Sequence, residues 1–202
     1  MPNVLILFAH PRFEQSRAQA ALVRNLPKDP RVTFRDLYEI YPDFQIDIPL
    51  EQKILSEHDI IIWQHPLYWY SAPPLIKQWI DLVLEFGWAY GPGANALEGK
   101  WIFNAFSSGG GRDRYSPGGR NRYTIPEFLR PFEQTSWLCK MRYLPPYALM
   151  GTHRFSKSTC DSFGQEYGHM VRLLIEGVLD PEEWAAHEFA NDYLERFKVE
   201  QQ

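Results

Sequence analysis

Three short apolar runs punctuate the chain: Val4 to Ala9, Ile60 to Gln64 and Trp101 to Phe106. Each is rich in β-branched or aromatic residues, the pattern of parallel strands covered on both faces. Val32 to Phe34 adds a fourth strand, and either Tyr143 with Leu144 or Ala148 to Met150 adds a fifth. Helical spacing fills the intervals. Ile76, Trp79, Ile80, Val83 and Leu84 recur at i, i+3, i+4, i+7 and i+8 and form one apolar stripe. Prolines are tolerated only in a first turn, where no intrahelical N–H partner is needed, so Ser71 and Pro73-Pro74 start this helix just after Tyr70. A first helix opens at Ser16, where Ser16-Arg17-Ala18-Gln19 matches a capping box, and it ends before Pro27. Further helices are expected over Pro126 to Cys139, Ser158 to Leu174 and Pro181 to Lys198, the last with Ala186, Phe189, Ala190, Tyr193 and Phe197 on one side.

Strand and helix therefore alternate, which implies right-handed βαβ crossovers and an open α/β fold with a five-stranded parallel sheet. Ligands of such sheets sit beyond the carboxyl ends of the strands, so the strand-end loops are where chemistry is sought. With 202 residues and no shift in composition along the chain, residues 1–202 read as one domain. Apolar residues at 45% and charged ones at 23% allow a sizeable core and argue against disorder. The net charge of -4 gives no global field for nucleic acid or anionic lipid, so an anion must be held by local geometry. Cys139 and Cys160 form neither a disulfide framework nor a zinc-type spacing, and no metal site is expected. The run from Val4 is too short for a membrane span and lacks the basic flank of a signal peptide, so a reducing cytoplasm fits best.

Three loops carry candidate chemistry. In the first, His10 at a strand end and the N-terminal amides of the helix from Ser16 can converge on a phosphate; alternatively Ser16 and Gln19 only cap the helix. In the second, His65-Pro66-Leu67-Tyr68-Trp69-Tyr70-Ser71 places three consecutive aromatics at a central strand end. They can wall a flat heteroaromatic ring, or fill the core or a dimer contact. In the third, Ser107-Ser108-Gly109-Gly110-Gly111 lets the backbone approach a ligand closely, although a mobile linker has the same composition. The stretch from Ser107 to Thr124 is long for a connector, and Tyr115 on it can donate a proton or hydrogen bond. Arg112, Arg114, Arg120 and Arg122 crowd the same loop, either as solvated surface or as a site for the extra phosphate of NADPH or an acidic partner.

With these residues the chain resembles the NAD(P)H:quinone oxidoreductase family of flavodoxin-like proteins, which includes the mammalian diaphorases. It is closer still to the bacterial ancillary proteins of glutathione-gated potassium-efflux systems. The match lies in Ala9-His10-Pro11, Tyr41-Pro42-Asp43-Phe44, Gln64 to Ser71, Gly87-Trp88-Ala89-Tyr90-Gly91, Leu97-Glu98-Gly99-Lys100 and Leu129-Arg130-Pro131-Phe132-Glu133. The resemblance implies a flavodoxin-like three-layer sandwich that binds FMN rather than FAD. It places the cofactor phosphate by His10, Ser16, Arg17, Ala18 and Gln19, and the ring between Pro66, Leu67, Tyr68 and Trp69 on one side and Ser107, Ser108, Gly109 and Gly110 on the other. It also implies a homodimer with each active site near the subunit boundary. In the diaphorases a tyrosine and a histidine of the third loop stabilise charge on the reduced flavin. Tyr115 matches the tyrosine, whereas Asn121 stands at the histidine, which weakens the implied proton relay. Gln19 replaces a common asparagine and Ser107-Ser108 a threonine pair, both conservative in hydrogen bonding.

The function so implied is ping-pong transfer of hydride from NAD(P)H to flavin, then two-electron reduction of a quinone-like acceptor. The alternative is a regulatory subunit on the cytoplasmic face of a membrane potassium-efflux protein. A one-electron carrier of flavodoxin type is disfavoured by the aromatic second loop and the lack of acidic excess.

Overall fold

The structure, a computed structural model, describes residues 1–197. Its sheet is parallel throughout: β1 (Val4–Phe8), β2 (Val32–Asp36), β3 (Ile60–Pro66), β4 (Trp101–Ser108), β5 (Arg142–Tyr143) and β6 (Tyr147–Met150). The order is β2-β1-β3-β4-β5, with β6 also on β4. Both alternatives for the fifth strand are thus used. Trp101 and Ile102 pair with β5, and Ala105 to Ser108 with β6. Between the two pieces lie Pro145 and Pro146, which have no N–H to give a ladder.

The helices are α1 (Arg17–Arg24), α2 (Leu37–Ile40), α3 (Ile48–Ser56), α4 (Pro74–Val83), α5 (Ile125–Leu138), α6 (Lys157–Glu176), α7 (Pro181–Ala185) and α8 (Ala190–Leu194). Strand side chains alternate between two apolar layers: Leu5 and Leu7 face the layer of Trp63, Trp79 and Phe132, while Val4 and Ile6 face that of Phe103, Tyr147 and Tyr167. All five residues of β1 are fully buried, and each large side chain so removed from water contributes roughly 1.5–3 kcal/mol. The periodicity of α4 is borne out, with Leu75, Ile76, Trp79 and Val83 buried.

Two helical expectations need correction. α4 begins at Pro74, not just after Tyr70, because Ser71 N donates to Tyr68 O at 3.0 Å and closes a separate turn. The expected helix over Pro181 to Lys198 is broken into α7 and α8, with Lys198 outside the described residues. Phe189 joins the first apolar layer, whereas Trp184, Ala190 and Tyr193 belong to the second. The break also lets Ala190 N donate to Pro146 O at 2.9 Å and Asn191 Oδ1 accept from Ala148 N at 2.8 Å, so α8 covers the open edge beside β6.

α1 is held against α6 at two glycines. A Cβ at Gly164 would stand 2.4 Å from Ala21 O, and one at Gly168 2.1 Å from Asn25 O. Only bare α-carbons on α6 permit this approach. It fixes where the N-terminus of α1 meets the sheet edge.

Candidate functional site

Every strand-end loop emerges at one edge, because Phe8 registers with Gln64, Gln64 with Ala105 and Pro66 with Ser107. Between the loops lies a cavity of about 530 Å³ lined by His10, Arg12, Ser16, Arg17, Pro66, Leu67, Tyr68, Ser107 and Gly109, among others. One end of it is built from the start of α1. Gln19 N is satisfied by Ser16 Oγ at 3.2 Å and Ala20 N by Ser16 O at 3.0 Å, which leaves the N–H groups of Arg17 and Ala18, both on the cavity wall. His10 adds a side-chain donor. Arg12 N donates to its Nδ1 at 3.1 Å, so the neutral ring carries its proton on Nε2. Burial holds the His10 pKa below its ordinary value, against an opposing pull from Glu14, and favours that neutral form. Among the described residues the Arg12 and Arg17 guanidiniums make no ion pair, so the pocket is also locally cationic.

A buried polar frame supports these loops from below. Tyr167 Oη donates to Gln64 Oε1 at 3.0 Å, and Gln64 Nε2 to Gln19 Oε1 at 2.9 Å. Gln19 Nε2 then donates to His65 O at 3.1 Å and Ser107 Oγ at 3.0 Å. One amide thus ties the first loop to the second and third. In parallel, Tyr143 Oη donates to Asn104 Oδ1 at 2.6 Å, so Asn104 Nδ2 is the donor to His65 Nε2 at 2.9 Å. This places the imidazole proton on Nδ1, which donates to Pro66 O at 3.0 Å, the carbonyl that also accepts from Tyr68 N. Burial pushes the His65 pKa down to about 4, so the ring is neutral at pH 7 and its tautomer is set by its neighbours.

A second cavity of about 300 Å³ adjoins the first and shares Leu67, Gly109 and His153 with it; its other walls include Trp69, Tyr70, Gly110, Arg114, Tyr115, Arg120 and Asn121. Trp69 and Tyr70 turn the second loop back on itself at φ values of 50° and 65°. Left-handed backbone costs roughly 1–2 kcal/mol for each bulky residue, strain of the kind that gathers at ligand clamps. The turn leaves the Trp69 ring 92% exposed, while Tyr70 stacks on Phe128 at 5.0 Å. Phe128 also meets Tyr115 edge-on at 6.0 Å, so α5 seats both aromatic walls. Burial raises the Tyr115 pKa against a smaller opposing effect of its hydrogen bond with Ser108, and the phenol remains an O–H donor across neutral pH. At Gly109 a Cβ would stand 2.2 Å from His153 Nε2, so a larger residue there would have to displace the His153 ring.

Residues 2–171 match the family described by a flavodoxin-like fold. The chain belongs to that family. It is 44% identical over 171 residues to the glutathione-regulated potassium-efflux system ancillary protein KefG of Serratia proteamaculans, covering 85% of this chain and 93% of that one. Among solved structures, general stress protein 14 of Treponema denticola in complex with FMN superposes with a TM-score of 0.81 at 36% identity, over 86% of this chain and 99% of that one. An NADPH-quinone reductase of P. pentosaceus gives a TM-score of 0.75 at 32% identity, over 84% and 97% of the two chains.

In this flavodoxin-like frame His10, Ser16, Arg17, Ala18, Pro66, Tyr68 and Ser107 line the larger cavity, and Trp69, Gly110, Tyr115 and Asn121 the smaller, with Leu67 and Gly109 on both. Two expected ligand-binding residues lie apart from the walls. Gln19 is fully buried with its side chain spent on the polar frame, so the capping box is only half formed. Ser108 turns its hydroxyl to Gly110 O at 2.8 Å and shapes the third loop from within. A fourth loop, after β6, escaped the sequence reading. Gly151 N and Thr152 Oγ1 donate to Ser108 O at 3.0 and 3.1 Å, which brings Thr152 and His153 onto the larger cavity. The strand-end rule applied to Met150 would have found them. Tyr41 of the Tyr41-Pro42-Asp43-Phe44 segment is structural: it donates to Glu51 Oε1 at 2.6 Å in a buried cluster with Arg35 and Trp79.

Proposed function

We propose that this chain is an FMN-dependent NAD(P)H:quinone oxidoreductase that exchanges two substrates at one cleft. The observation that carries this reading is the junction of an anion pocket with an aromatic, glycine-lined one through Leu67, Gly109 and His153. A group with a phosphate at one end and a flat ring at the other suits that junction. FMN fits the residues present: the Arg17 and Ala18 amides, His10 Nε2–H and the Ser16 hydroxyl are donors for its phosphate, and the bare Gly109 admits a ring against the backbone. When bound, FMN would supply the redox chemistry for two-electron transfer between NAD(P)H and a quinone-like acceptor. The chain's own work is orientation and electrostatics. Leu67, Tyr68 and Trp69 would wall the ring and limit water, while the Gly109 and Gly110 amides and the Tyr115 hydroxyl would donate where negative charge develops. Asn121 offers a hydrogen-bond donor on the substrate side.

The same proposal includes a cytoplasmic homodimer, with exposed Trp69, Phe86 and Trp137 as apolar surface for a partner. It also includes a metal-free mechanism. Its test is the visible spectrum of the FMN-reconstituted protein under anaerobic addition of NADPH and then a quinone. Flavin absorption is expected to bleach and recover stoichiometrically; failure to bind FMN overturns the assignment of the site.

The likeness to KefG favours a second role, regulation of a membrane potassium-efflux protein by peripheral binding at the inner face of the membrane. Among the described residues no helix is long and apolar enough to cross a membrane. Potassium efflux that depends on this chain and survives a His10→Asn change that abolishes FMN binding would make regulation primary. FMN binding without bleaching by either nicotinamide would point the same way.

A further inference from the structure

The smaller cavity has a cationic lip, formed by Arg114 and Arg120. The four arginines of the third loop have separate fates. Arg112 is engaged with Glu188 and, at 3.3 Å, with Asp192, and its guanidinium lies 4.6 Å over the Phe189 ring. Arg122, at a φ of 65°, lies on the wall of neither cavity. Arg114 and Arg120 both line the smaller one, and among the described residues neither pairs with a carboxylate. Their convergence is imposed by the backbone. Asn121 N donates to Arg114 O at 2.9 Å, and a Cβ at Gly119 would stand 2.6 Å from that same oxygen, so the loop folds tightly onto Arg114. Two unneutralised guanidiniums thus border a cavity whose other walls include Leu67, Trp69, Tyr70 and Tyr115, in a chain of net charge -4.

Apolar and aromatic walls with a doubly cationic lip call for a ligand that joins a flat ring to phosphate. A quinone lacks the anion. We propose that Arg114 and Arg120 form an anion subsite that takes a phosphate group of the nicotinamide dinucleotide donor, an inference that rests on reading the cleft as a flavin reductase site. The group is either the pyrophosphate shared by NADH and NADPH or the 2′-phosphate that NADPH alone carries.

The test uses FMN-loaded protein at low salt, comparing wild type with Arg114→Gln/Arg120→Gln and with Arg122→Gln as a neighbouring control. Flavin bleaching by each donor gives an apparent KM and a saturating rate, and competition by ADP or adenosine 2′-monophosphate gives a readout independent of turnover. The double variant is expected to raise the donor KM at least about tenfold, as loss of two charge-assisted contacts implies, while the saturating rate changes less than about twofold. Weakening of both donors and of ADP assigns the pyrophosphate; weakening of NADPH and adenosine 2′-monophosphate alone assigns the 2′-phosphate. Unchanged KM values and competition in the double variant overturn the subsite and leave the reductase reading intact. An equal KM rise in Arg122→Gln also overturns it, because diffuse loop charge would then suffice. A wild-type flavin that neither donor bleaches overturns both readings.

Discussion

Beneath the cleft, Gln19, Gln64, His65, Asn104 and Ser107 are buried and satisfied by one another, so each hydrogen bond fixes a loop relative to its neighbour. At the rim, Trp69, Arg114 and Arg120 are exposed and the two arginines have no carboxylate partner among the described residues. The energetic consequences are opposite. A half-satisfied buried network is costly, whereas an exposed side chain with no intrachain role can be exchanged at little cost to folding. Substitutions below the cleft should therefore be read in stability and pH dependence, and substitutions at the rim in ligand binding.

The largest effect is expected at His65. The unfolded imidazole takes a proton near its ordinary 6.5, while burial holds the folded one down to about 4. Between those values the unfolded state binds more protons, so stability falls as pH falls through that window, by on the order of 3 kcal/mol from this group. Urea unfolding at pH 7 and pH 4.5 should show this loss in wild type and a smaller one in His65→Gln, whose amide can still accept from Asn104 and donate to Pro66 O. Equal losses in the two proteins would remove His65 from the account. Next is Gly168→Ala. Its methyl group would meet the backbone oxygen of Asn25, so α1 must retreat, at a cost of about 1–3 kcal/mol and with weaker FMN binding. Gly118→Ala, with nothing within 4 Å of its Cβ, should leave the unfolding midpoint unchanged.

What the sequence disclosed follows the same division. The three mostly apolar runs had to be covered strands, and the rule that ligands gather at their carboxyl ends pointed to His10, the Leu67 loop and the Gly109 loop. The polar frame was less legible because Gln64 and Asn104 lie inside those runs, where a lone amide looks the same whether buried or edge-exposed. The burial of the Gln19 side chain was hidden for a related reason. Ser16-Arg17-Ala18-Gln19 is compatible with a reciprocal cap, but a buried amide with three partners on the frame outcompetes one exposed bond to the helix start. Apolar spacing alone could not reveal the break before α8, since that break serves the exposed edge beside β6.

A smaller loss is expected at the boundary between the two regions. Ser16→Ala removes the acceptor for Gln19 N and a donor on the cavity wall, so it should cost about 1 kcal/mol of stability and also weaken FMN. Isothermal titration with FMN beside urea unfolding separates the two effects. If FMN affinity is unchanged while stability falls, Ser16 is a cap alone.

Trp69→Ala should move stability least, within about 0.5 kcal/mol, because the ring is 92% exposed and its strained backbone gains nothing from the indole. The informative quantity is what does change. If the ring covers a flavin or its substrate, the variant should show weaker donor binding and faster quenching of bound FMN by iodide. If it covers a second copy of the chain, sedimentation should show a lighter species at equal concentration. A variant unaltered in all three would mean that the strained turn at Trp69 and Tyr70 serves only to seat Tyr70 on Phe128.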